Sequence, residues 1–126
     1  MKINMKKIFI TIFTVVFYLS CDDNQKPSEL VSDVKLENIV ERVEPPNWWI
    51  GMKTLDLQIL VYGENISDLV PKINSPNIKL NSFDKFENKN YLFLNVSISE
   101  NAKPGSVEID FYRANTIVER QDFILN

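Results

Sequence analysis

From Tyr91 to Ile98 the chain alternates without a break, with Leu92, Leu94, Val96 and Ile98 on one side and Tyr91, Phe93, Asn95 and Ser97 on the other. A period of two sustained over such a run marks a β-strand with one apolar face. The pattern recurs along the chain. Leu55, Leu57, Ile59 and Val61 alternate with Asp56, Gln58, Leu60 and Tyr62, and Gly63-Glu64-Asn65 closes that run as a turn. Pro104-Gly105 is a second turn signal, after which Val107, Ile109 and Phe111 oppose Glu108, Asp110 and Tyr112. Weaker runs cover Leu36 to Val43, the segment of Ile78, Leu80 and Phe83, and Ile117 to Leu125. No window keeps a helical period long enough to count as a helix. Short strands punctuated by turns over about ninety residues predict an all-β domain, an immunoglobulin-like β-sandwich of about seven strands.

The first residues follow a different pattern. Lys2, Lys6 and Lys7 precede an apolar run from Ile8 to Leu19, the layout of an export signal. That run falls short of the roughly 20 apolar residues that span a bilayer. Cys21 is the only cysteine and stands where the run ends, behind Tyr18-Leu19-Ser20. This arrangement resembles a bacterial lipobox, with Ser20 as the small residue before the lipidated cysteine and Tyr18 departing from the usual Leu. The alternative is a plain cysteine near a signal cleavage point, but a lone exported cysteine has no disulfide partner within the chain. Asp22 and Asp23 resemble the acidic tag of many Bacteroidetes surface lipoproteins. The residues up to about Lys35 are mostly polar, too poor in apolar side chains to offset the entropy of ordering. The expected division is a signal peptide over 1–20, a lipidated Cys21 with a flexible tether over 21–35, and a β-sandwich domain over 36–126. The expected location is the cell envelope, with membrane attachment through the lipid on Cys21.

Several local segments carry a resemblance to a known family: Val43-Glu44-Pro45-Pro46-Asn47-Trp48-Trp49-Ile50-Gly51-Met52, Leu57 to Gly63, Asn88 to Leu94, and Ala102-Lys103-Pro104-Gly105. Together they resemble the N-terminal β-sandwich module of Bacteroidetes cyclomaltodextrinase and neopullulanase-like glycosidases of the α-amylase type. In that family a catalytic barrel follows the module. The resemblance covers about Ile39 to Leu125 and brings no catalytic residue with it. It implies a non-catalytic accessory domain of an α-glucan-degrading enzyme, truncated or split before its barrel.

Composition narrows the chemistry further. There is no histidine, so Ser-His-Asp and Cys-His nucleophile arrangements are excluded and the commonest zinc ligand is missing. No metal site and no cofactor are expected. The formal net charge is -3, and removal of the three leader lysines makes the remainder more acidic. Phosphate backbones need clustered Lys and Arg, so nucleic acid is not an expected partner. Glu108 and Asp110 stand two apart on a strand and share its outward face, a solvated surface rather than a glycosidase pair. Trp48, Trp49 and Tyr62 are the candidate binding residues. Indole faces stack on sugar rings, and the same rings pack against protein at domain contacts. Two expectations follow, an interface with a glycosidase catalytic domain and, as the alternative, a free-standing envelope lipoprotein whose rings stack on α-glucan, a maltooligosaccharide or cyclodextrin. A homodimer is a further alternative, since an apolar patch released from a barrel can pair with another copy.

Overall fold

The computed structural model describes residues 35–126. The signal peptide expected over 1–20, Cys21 and nearly all of the expected tether lie outside the described residues. Eight strands follow in the described part: β1 (Val40–Glu44), β2 (Asn47–Trp48), β3 (Asp56–Gly63), β4 (Val70–Ile73), β5 (Ile78–Lys85), β6 (Tyr91–Ile98), β7 (Gly105–Arg113) and β8 (Thr116–Leu125). They form two four-stranded sheets, ordered β1-β3-β6-β5 and β2-β8-β7-β4. The architecture is all-β and sandwich-like. The chain passes from the first sheet to the second at Pro45-Pro46, where the Glu44–Pro45 peptide is cis.

Each long strand sends one side inward. Ile59 and Val61 of β3 and Leu92, Leu94, Val96 and Ile98 of β6 are buried against Val107, Ile109 and Phe111 of β7 and Phe123 and Leu125 of β8. Burial of a Leu, Ile or Phe side chain contributes about 1.5–3 kcal/mol, so this layer is the dominant favourable term. The alternation read from β3, β6 and β7 therefore coincides with the inside and outside of the sandwich.

Two strands escaped the sequence pattern, each for a local reason. β2 has two residues and pairs in parallel with Ile124 and Leu125, too short to show a period. β4 carries Pro71, which lowers strand propensity but is tolerated because β4 is an edge strand. The weak alternation of β5 also has a cause, because its register on β6 shifts between Leu80 and Ser82. The extra residue at this bulge brings Phe83 opposite Leu94.

Loops brace the ends of the strands. Asn88 accepts the Asn90 amide through Oδ1, and Asn90 in turn accepts the Asn65 amide at 3.0 Å. The Lys89 carbonyl receives the Ser67 amide at 2.9 Å, which pins the 3-10 turn Ile66–Asp68. Gly63 fits a close approach, because a Cβ there would run into the Ile39 carbonyl oxygen.

Candidate functional site

Trp48 and Trp49 sit where the second sheet ends. The Trp48 carbonyl accepts the Asn126 amide at 2.8 Å, and the Asn126 carbonyl accepts the Ile50 amide at 3.0 Å. This ladder fixes the segment along β8, and Gly51 at φ 73 then turns the backbone in a left-handed conformation that glycine adopts freely. The two indoles differ in burial but stay within aromatic contact distance. Trp48 is half-buried and packs against the core, whereas Trp49 is 54% exposed. Their ring centroids lie 6.3 Å apart at an interplanar angle of 57°.

Met52 and Ile124 are exposed at 46% and 40%. Ile124 is paired with Asn47 and Met52 lies just past the Trp49 turn. The end of the sandwich thus combines an exposed indole with two further large apolar side chains. The Trp48 indole N–H is buried and has no acceptor among the described residues. An unsatisfied buried donor costs about 1–3 kcal/mol.

Tyr62 belongs elsewhere. It stands on the first sheet, opposite Tyr91 on β6 and Arg42 on β1. The Tyr62 and Tyr91 centroids are 5.1 Å apart, and the Arg42 guanidinium carbon lies 5.6 Å from the Tyr62 centroid. Both tyrosines are partly exposed. The sequence-predicted trio is therefore divided between sheets, with Trp48 on an edge strand of one, Trp49 just beyond its end, and Tyr62 within the other.

Among the charged residues, Glu108 and Asp110 are engaged by one arginine. Arg120 Nε donates to Asp110 at 2.6 Å, and Arg120 Nη1 lies 3.7 Å from Glu108. Its hydrogen bond and charge pairing with Asp110 raise the Arg120 pKa above the ordinary arginine value. This arrangement is an ion pair on a solvated face rather than two carboxylates facing one bond. Among the described residues no group of His, Cys, Asp and Glu could hold a metal ion.

The sequence reading passed over Glu119, the one fully buried acid among the described residues, at 1% exposure. Its Oε2 accepts the backbone amides of Ile39 and Val40, and its Oε1 accepts the Arg120 amide at 2.9 Å and the Gln121 side-chain amide at 3.1 Å. Asn38 at φ 53 turns the chain so that two successive N–H groups converge on the carboxylate. Glu119 therefore ties the start of the first sheet to β8 of the second. The register of Phe123 and Leu125 already places position 119 inward, and that was the available signal.

A family model described as "Cyclomaltodextrinase, N-terminal" matches residues 42–126, from within β1 to the last described residue.

Proposed function

The chain belongs to the family of cyclomaltodextrinase N-terminal domains, and from that premise we propose that it serves as a non-catalytic accessory domain of an α-glucan hydrolase. The observation that carries this proposal is the family match itself, which takes in all of the sandwich except the first residues of β1. The partner proposed for it is a glycosidase catalytic barrel. The exposed Trp49, Met52 and Ile124 support a contact at that end, since exposed apolar groups gathered at one place mark interaction sites. The role of Trp48 and Trp49 is then packing and positioning. Attachment to the envelope through a lipid on Cys21 belongs to the same proposal, and its support is the leader pattern of Lys2 to Ser20.

The test mixes the purified chain with a cyclomaltodextrinase barrel freed of its own N-terminal domain. The two should co-elute from gel filtration, and Trp49→Glu should separate them. Alone, the chain should release no reducing sugar from β-cyclodextrin or pullulan. Hydrolysis that tracks the chain through gel filtration, or failure to co-elute with the barrel, would overturn the proposal. Self-association that Trp49→Glu abolishes would instead assign the patch to a homodimer. For the anchor, radiolabelled palmitate should enter the wild-type chain and not the Cys21→Ser variant.

A further inference from the structure

The outward positions of β3 and β6 form the middle of the first sheet's exposed face, and not one of them is Lys, Arg or Glu. Sheet faces that meet only water are usually lined with long charged side chains. Here one half of the face is polar and short. Gln58 donates to Asn95 Oδ1 at 2.9 Å, and Asn95 Nδ2 donates to Ser82 at 3.0 Å and to Asp84 at 2.8 Å. Beside it, Asn81 donates to Ser97 at 2.7 Å, and Ser97 donates to Asp56 at 2.6 Å. These bonds hold amides, hydroxyls and carboxylates in place across three strands. A shallow depression of about 290 Å³ lies between them, lined by Asp56, Gln58, Asn81 and Asn95.

The other half of the face is aromatic. Tyr62 and Tyr91 pair at one end, and the Phe93 ring meets the exposed Phe86 ring with centroids 5.1 Å apart. Ring faces stack on the C–H faces of pyranoses, while planar amides and carboxylates meet adjacent hydroxyls with two hydrogen bonds. The mutual hydrogen bonds leave the second oxygens of Asp56 and Asp84 open among the described residues. Side chains already ordered lose little further entropy on binding.

We infer that this face, built from the Gln58–Asn95 and Asn81–Ser97 ladders and flanked by Tyr62, Tyr91 and Phe93, binds a neutral, hydroxyl-rich glycan chain. Charge bears on the class of occupant. Asp56 and Asp84 place two carboxylates within the ladder, while the cations at its borders are Arg42, held by Glu44 at 3.2 Å, and Lys79, paired with Ser97 in the strand register. Among the described residues no cluster of Lys and Arg therefore faces the ladder to favour an anionic chain. The site is distinct from the Trp48–Trp49 end, and only the choice of α-glucan over other neutral glycans rests on the accessory-domain proposal.

The experiment follows backbone amide resonances of the full chain, carrying Cys21→Ser in detergent micelles, during titration with maltoheptaose and separately with cellohexaose. Gln58, Tyr91, Asn95 and Ser97 should shift together, with affinity in the roughly millimolar range of an open surface site. Asn95→Ala should weaken binding by roughly tenfold, the factor for one lost hydrogen-bond node. Asp122→Ala, on the outer face of the second sheet, should leave the affinity unchanged. If Asn95→Ala disturbs the fold, Gln58→Ala at an exposed position provides the same test. Shifts confined to Trp48–Met52, or none with either glycan, would overturn the inference. Binding of cellohexaose alone at this face would uphold the face and remove the α-glucan assignment, whereas loss of co-elution with the barrel tests only the accessory role.

Discussion

The outer faces of the two sheets cover the same core with different chemistry. On the second sheet, β7 and β8 turn Glu108, Asp110, Arg120 and Asp122 outward, and Arg120 is bonded to Asp110 while Ser106 donates to Asp122 at 3.0 Å. Lys72 lies 4.3 Å from the Tyr112 ring centroid on the same sheet. That face is an ion-pair surface of the ordinary solvated kind. On the first sheet, the corresponding middle positions are amides, a hydroxyl and the Asp56 carboxylate joined into ladders, with Leu60 and a row of aromatic rings beside them. The Arg42–Glu44 ion pair is confined to the β1 edge. Both patterns satisfy the same backbone and the same core, so the difference is not required by folding. Surface positions free of a folding constraint are where binding chemistry can accumulate.

If the faces are separate from what sustains the fold, the largest stability losses should come from neither of them. Glu119→Ala should destabilise the domain by about 3 kcal/mol, because two backbone amides at the start of β1 lose their acceptor inside the protein. Urea unfolding with an unchanged m-value would measure it, and a loss below about 1 kcal/mol would mean that water replaces the carboxylate. Gly63→Ala should cost about 2–3 kcal/mol, since its methyl must displace the Ile39 backbone. The same unfolding curve tests it, and a near-neutral result would show that β1 can move away from β3.

Substitutions on the faces themselves should be milder and should differ between sheets. Asn95→Ala removes a side chain bonded to three partners, yet on an exposed face it should cost only about 1 kcal/mol while weakening glycan binding. A loss as large as that of Glu119→Ala would make the ladder a structural element and blur the contrast. Arg120→Ala should give the smallest effect, a Tm shift of at most about 2 °C that shrinks as salt screens the pair. The raised pKa of Arg120 means that its pairing is fully present below the ordinary arginine value and is lost only as pH rises through the folded value. Its contribution should therefore be flat from neutral to mildly alkaline pH. Thermal melts across that range check this, and a loss near neutrality would point to another group.

Much of the fold was legible because inward and outward positions alternate along single strands. The runs at Leu57–Val61, Leu92–Ile98 and Val107–Phe111 each named their buried side correctly without reference to any partner strand. Pro71 hid β4, and the bulge at Leu80–Ser82 blurred β5, because both break the period locally. The candidate sites were less legible. The spacing of Trp48 and Trp49 indicates that at most one ring is core, but only pairing with Leu125 shows that it is Trp48. Tyr62 reads as an isolated aromatic until β6 brings Tyr91 opposite it.

By itself, then, the sequence determined the class of the domain, the buried sides of its long strands and the absence of histidine chemistry, since these depend on composition and on a period of two that each strand carries alone. Ile66 and Leu69, by contrast, join the core from a turn that has no such period. Tertiary structure decided what depends on residues distant in the chain. It joined Glu119 to Ile39 and Val40, parted Tyr62 from the tryptophans, and set Gln58 beside Asn95 and Asp56 beside Ser97. A hydrogen bond acts only within about 3 Å, so strand order and register decide which polar side chains meet, and local pattern carries no trace of either.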